Sequence, residues 1–253
     1  MDAAMVTCTA FQDVTWLPGS VCSFSDRLAV FRVALADGAA CMPYLHQLLS
    51  PDEMERVGRY RNADDQLRFG CTRGLLRMVL GQYVDQLPEC VEFVPGVNRK
   101  PVLKKPAGWY FNVSHSGAWS LIAVGRSPVG VDLEWVNPDF PFLDVLPASF
   151  SPHEQRHLDA CGNARQDFYQ LWTRKEALVK ATAKGMDEEF SQIPSLTGTH
   201  AVDPLLIGQR GHWMVNGFAA ADGYLAALAY DRAWGVNPRF YALDSALFLA
   251  GSR

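Results

Sequence analysis

A helix start written twice constrains this chain more than any other feature. Ser50-Pro51-Asp52-Glu53 and Ser151-Pro152-His153-Glu154 each place a serine N-cap, a proline in the first turn and a glutamate that closes a capping box. The two serines are 101 residues apart (151 against 50), and the same offset sets Thr72 on Thr173, Arg73 on Arg174 and Val30–Val33 on Val131–Glu134. The order strand, capped helix, long helix therefore occurs twice in register, which implies a duplicated structure. With 253 residues there is enough chain for two such halves, each with its own core. The expected fold is α/β (α+β), with two similar lobes related by pseudo-twofold symmetry. The lobes are expected at 1–126 and 127–253, with Ser127-Pro128 as hinge and residues 1–27 as a loose arm. A cleft between two such halves is a natural ligand site.

Local patterns supply the elements. Leu28–Leu35 reads as a strand, and a long helix runs from about Asp64 to Tyr83 with Leu67, Cys71, Leu75 and Met78 inward. Val97–Leu103 is a turn leading into an extended piece. Trp109–Val113 is a strand that ends at Ser114-His115-Ser116-Gly117, small polar residues suited to presenting N–H and hydroxyl groups to a phosphate. Ser120–Val124, Tyr224–Tyr230 and Arg239–Leu243 complete the predicted strands.

The chemistry concentrates in two stretches. In Phe168–Lys180, Phe168, Leu171, Trp172, Leu178 and Val179 recur at helical spacing and mark a buried stripe. Glu176 and Lys180 stand one turn apart on a shared side of that helix. In Gly130-Val-Asp-Leu-Glu134, strand alternation points Asp132 and Glu134 one way and Val131 and Leu133 the other. If helix packs on strand, three carboxylates and one ammonium converge. Three carboxylates in a water-poor site repel, and a hard divalent cation such as Mg²⁺ relieves that repulsion while leaving room for phosphate ligands. On spacing alone, the same residues are more often a solvated strand face and a surface ion pair.

Composition narrows the alternatives. The chain is 49% hydrophobic and 20% charged, as in ordinary globular proteins, and its net charge of −4 does not favour nucleic acid as a partner. No apolar run approaches a membrane span and the start lacks the pattern of a secretory signal, so a cytoplasmic protein is expected. The six cysteines show neither C-x-x-C nor zinc-like spacing.

Asn112-Val-Ser-His-Ser116, Gly130-Val-Asp-Leu-Glu134 and Trp172–Lys180 with Gly185 resemble, in order and separation, the three signature blocks of the 4′-phosphopantetheinyl transferases. The resemblance is to the longer, monomeric, surfactin-synthetase-activating (Sfp) type, and covers about Ser50 to Met186. It implies two similar lobes with coenzyme A bound between them. The implied reaction moves the phosphopantetheine arm of coenzyme A to a serine of an apo acyl or peptidyl carrier protein and releases 3′,5′-ADP. By the same resemblance Asp132, Glu134 and Glu176 hold Mg²⁺ (Mn²⁺ as an alternative). Glu176, directly or through a metal-bound water, accepts the serine proton, and Lys180 stabilises the leaving diphosphate. Ser114 and His115 lie at the coenzyme A phosphates and Lys100 beside the nucleotide. Arg73, and more weakly Arg56, contact the 3′-phosphate. Two rival readings are a non-catalytic coenzyme A- or nucleotide-binding relative and a Mg²⁺-dependent phosphohydrolase.

Some positions depart from the family pattern. Arg99 stands where the family usually has glycine before Lys-Pro, Glu53 where some members carry a phosphate-binding lysine, and Trp135 where Lys or Arg is common. Phe140, Phe142, Phe150 and Arg156 suggest an exposed aromatic and basic surface for an acidic carrier.

Overall fold

The duplication expected from the sequence is present in the backbone. The computed structural model describes residues 3–35, 44–105, 107–235 and 237–244. Strand β3 (Leu28–Ala34) and strand β8 (Val129–Trp135) start and end 101 residues apart (129 against 28). So do helix α1 (Pro51–Arg59) and helix α4 (Pro152–Ala160), which follows the short helix α3 (Leu146–Ser149). Both α1 and α4 carry complete capping boxes, Ser50 with Glu53 and Ser151 with Glu154. The long helices α2 (Ala63–Val84) and α5 (Ala164–Thr182) begin at the same offset, each capped by an asparagine side chain.

Each repeat is completed by a hairpin. In one five-stranded sheet, β3 pairs antiparallel with β7 (Trp119–Gly125), which pairs with β6 (Tyr110–Ser116). In the other, β8 pairs antiparallel with β11 (Tyr224–Asp231), which pairs with β10 (His212–Ala221). The orders β3-β7-β6 and β8-β11-β10 thus repeat one motif. What extends them differs. β10 continues in parallel to β1 (Ala4–Ala10), which pairs antiparallel with β9 (Gly198–Val202). β3 continues in parallel to β12 (Arg239–Leu243), which pairs with β2 (Leu17–Pro18). A separate hairpin joins β4 (Phe93–Pro95) to β5 (Pro101–Leu103).

These pairings redraw the expected division at 1–126 and 127–253. The chain forms two compact units, one of Met1–Val14, Gly96–Lys100 and Ser127–Val236, the other of Thr15–Pro95, Pro101–Arg126 and Asn237–Arg253. The expected loose arm is also corrected. Ala4, Val6 and Cys8 alternate inward along β1 and are fully buried against Ala177, Leu178 and Ala181 of α5. The alternation of these residues with Met5 and Thr7 makes this segment an inner strand, paired on both sides. The helix α6 (Pro204–Ile207) is short, and among the described residues no helix is long and apolar enough to cross a membrane.

Helix α5 lies across β8, β11 and β10. Its approach to β8 is set by Gly130, where an added Cβ would stand 2.0 Å from the Ala177 carbonyl oxygen and 2.3 Å from the Ala181 nitrogen. No side chain fits there, so the helix backbone rests on the strand backbone. Gly130→Ala is expected to push α5 off the sheet, costing about 3 kcal/mol or more. Urea unfolding checks this, and an unchanged midpoint would disprove the backbone-on-backbone packing.

Candidate active site

Close packing of α5 on β8 decides which side chains meet. Asp132, 2% exposed, and Glu176, 8% exposed, sit on either side of the Lys180 ammonium. Lys180 Nζ donates to Asp132 Oδ1 at 2.6 Å and lies 3.9 Å from Glu176 Oε2, an ion pair rather than a hydrogen bond. Glu134, two residues along the same strand, is close enough that its charge also bears on Lys180. The four residues singled out from the sequence are therefore brought together.

Their electrostatics follow from burial and mutual charge. Burial, reinforced by the Asp132 charge and opposed by Lys180, pushes the Glu176 carboxyl up to about 7. Burial pulls the Lys180 ammonium down, but the Asp132 and Glu176 carboxylates outweigh it and hold the group above the ordinary lysine value. A carboxyl that titrates near neutrality beside a firmly protonated amine is suited to exchanging a proton at pH 7.

Asp132, Glu134 and Glu176, the carboxylates expected to hold Mg²⁺, come from β8 and α5. Among the described residues no group of three His, Cys, Asp or Glu side chains gathers tightly enough to hold a metal ion. In this ligand-free arrangement the Lys180 ammonium pairs with Asp132 and Glu176. The donor chemistry of Asp132 and Glu176 nevertheless suits a hard cation. Glu176 Oε1 is buried with no hydrogen-bond partner, so one oxygen of this carboxyl is left for a further ligand.

Lys100 does not take the place expected of it. Its Nζ donates to the carbonyls of Lys180 at 2.6 Å, Val129 at 3.1 Å and Ala181 at 3.5 Å, so all three protons are directed at backbone. Burial lowers its ammonium to about 8. Arg99, which stands in place of the family's glycine, adopts φ +60°, so the turn keeps a glycine-like backbone at the expense of strain.

The remaining candidates belong to the other unit. Arg73 lies 3.5 Å from Glu53 and packs over the Phe69 and Phe93 rings, while Arg56 covers Phe69. Glu53 thus does more than cap α1, because Arg77 also pairs with it at 2.8 Å. Ser114 and His115 are neighbours on β6 and face opposite ways, Ser114 buried and His115 exposed. Their side chains cannot meet one phosphate from the same face. The predicted docking surface is also corrected. Phe142 and Phe150 are buried with Phe168 in a core cluster that Phe140 abuts, and only Arg156 of the four is exposed.

Two buried cations serve the structure, Arg174, seen in the sequence only as the repeat of Arg73, and Lys175, which the sequence did not single out. Lys175, fully buried, pairs with Glu154 Oε2 at 2.9 Å and donates to the carbonyls of Ser191 and Ile193. Arg174 donates to the carbonyls of Ser195 and Thr9, tying β1 to the segment after α5. At the 101 offset Lys175 falls on Gly74, so the repeat itself hid it. The available signal was the charged run Arg174-Lys175-Glu176 set directly against the apolar Ala177-Leu178-Val179.

Fold and site together describe a duplicated α/β protein with an acid–ammonium cluster between one helix and one strand of a single unit. The model of the 4′-phosphopantetheinyl transferase superfamily matches residues 128–229, and that of the 4′-phosphopantetheinyl transferase N-terminal region matches residues 40–127. The 4′-phosphopantetheinyl transferase HetI of Nostoc is 30% identical over 235 residues, covering 90% of this chain and 98% of HetI. The protein slr0495 of Synechocystis is 37% identical over 158 residues, 60% of this chain and 64% of that protein. The 4′-phosphopantetheinyl transferase Sfp of Bacillus subtilis is 29% identical over 140 residues, 54% of this chain and 62% of Sfp. The chain belongs to the 4′-phosphopantetheinyl transferase family.

Proposed function

We propose that this transferase moves the 4′-phosphopantetheine group of coenzyme A to a serine hydroxyl of an apo acyl or peptidyl carrier protein, giving the holo-carrier and 3′,5′-ADP. The observation that carries the reading is the Asp132–Lys180–Glu176 cluster. The serine oxygen forms a bond to the phosphorus that bears the pantetheine arm, and the bond from that phosphorus to the 3′,5′-ADP oxygen breaks. Glu176, poised near neutrality, accepts the serine proton. Lys180, held protonated, stands ready to neutralise the phosphate that departs and to return a proton to it. Asp132 orients Lys180 through the 2.6 Å hydrogen bond.

A Mg²⁺ ion, with Mn²⁺ as alternative, would be held by Asp132 and Glu176, with Glu134 from the same strand, and would supply charge neutralisation for the diphosphate. Ser114, His115, Arg73 and Arg56 are the proposed contacts to the phosphates of coenzyme A. In this reading the enzyme acts as a monomer in the cytoplasm, where coenzyme A and newly made carriers meet, with neither nucleic acid nor membrane as a partner.

Mass spectrometry of a panel of apo carriers incubated with protein, coenzyme A and Mg²⁺ tests this. The expected result is a gain of one phosphopantetheine on serine, dependent on Mg²⁺. Phosphate release from coenzyme A without labelling would point to hydrolysis, and binding without either product to a non-catalytic relative.

A further inference from the structure

Gly96–Lys100 is flanked in the chain by residues of the other unit, yet it packs with the unit that holds the acid–ammonium cluster. Asn98 and Arg99 within it both adopt left-handed backbone, φ +48° and +60°, which is unfavourable for residues that carry a Cβ. Such a turn persists only where its surroundings hold it. Here the hydrogen bonds converge on one place. Asn98 Nδ2 donates to the carbonyls of Ala183 at 2.8 Å and Lys184 at 2.6 Å. Lys100 Nζ donates to Lys180, Ala181 and Val129.

The carbonyls of Lys180 and Ala181 belong to the last turn of α5, and those of Ala183 and Lys184 follow it directly. The last turn of a helix leaves its carbonyls without intrahelical donors and carries partial negative charge, so an amide and an ammonium are apt partners. Val129 opens β8, the strand that carries Asp132. One ammonium thus links the end of the helix to the start of the strand, and its shortest bond is to the main chain of Lys180 itself. We infer that Asn98 and Lys100 are positioning residues, a clamp that fixes the end of α5 so that Lys180 is held between Asp132 and Glu176. The inference rests on the function proposed above, and it replaces the nucleotide contact that the family resemblance implied for the Lys100 side chain.

The two roles separate kinetically. If the Lys100 ammonium bound a phosphate of coenzyme A, Lys100→Met would raise KM for that substrate. A loosened clamp instead misplaces the reacting groups and lowers kcat. With coenzyme A, Mg²⁺ and the apo carriers of the panel, Lys100→Met is expected to lower kcat by about tenfold to a hundredfold, with KM for coenzyme A changed by less than about twofold. Asn98→Ala is expected to move kcat in the same direction by less, and Lys100→Arg, which keeps charge and donors, to recover part of the loss. Independently of activity, hydrogen–deuterium exchange in residues 177–184 of the ligand-free protein is expected to quicken by about fivefold or more in Lys100→Met. Unchanged exchange and kcat, with a raised KM, would overturn the clamp. If Lys100→Met does not fold, Asn98→Ala decides on the same two readouts. If the wild-type protein labels no carrier, the proposed function falls, and the exchange result still judges the clamp.

Discussion

Glu176→Gln is expected to abolish carrier labelling and at the same time make the metal-free protein more stable above neutral pH. The two effects share one cause. Burial and the neighbouring Asp132 charge raise the Glu176 carboxyl from its ordinary 4.5 to about 7, against the pull of Lys180. The folded protein therefore binds this proton more tightly than the unfolded chain does. The stability that follows is fully present below about pH 4.5 and is lost as pH rises through about 7, a loss of about 3 kcal/mol by pH 8. Glutamine stays neutral throughout. The variant should match its parent at pH 4.5 and exceed it at pH 8 by up to about 3 kcal/mol, with Tm higher by about 2–4 °C per kcal/mol. Mg²⁺ should raise the Tm of the parent at pH 8 and leave that of the variant nearly unmoved. Removal of the base should lower kcat by about a hundredfold to ten-thousandfold. Labelling at the parental rate would show that Glu176 is not the reactive group, and a variant less stable than its parent at pH 8 would show that it is not the strained one.

Lys175→Met is expected to be the most destabilising single replacement in α5, costing about 3–5 kcal/mol in urea unfolding. Lys175 is fully buried and Glu154 is 3% exposed, so loss of the ammonium strands a carboxylate away from water. Carbonyls of Ser191 and Ile193 lose their donor in the same step. Glu154 is committed elsewhere too: it caps α4 and accepts from the Ser195 amide at 3.0 Å and from its hydroxyl. Adding Glu154→Gln removes the stranded charge, so the double variant should regain part of the loss. Additive costs in the double variant would mean that the two groups do not interact as a pair.

Much of this is legible in the amino-acid sequence. Capping boxes and the 101-residue offset announced the repeat because they are local chemistry, a serine oxygen meeting an amide three residues on. Strand alternation put Asp132 and Glu134 on one face of β8, and helical spacing put Glu176 and Lys180 on one side of α5, for the same reason. The errors lie where packing spans long separations. β1 looked like an arm because its partners, β9 and β10, lie near the far end of the chain. Phe142 and Phe150 looked exposed because Phe168, the residue that buries them, comes later in another element.

From its residues alone this chain determined its repeated units, its helix starts and the shared faces of Asp132 with Glu134 and of Glu176 with Lys180, since each depends on neighbours within a few positions. Only tertiary structure decided that Gly130 lets a helix rest on bare strand backbone, that Lys180 stands between Asp132 and Glu176, and that Asn98 and Lys100 grip the end of that helix. Those outcomes depend on distances between segments tens of residues apart, which side-chain pattern does not encode and backbone packing does.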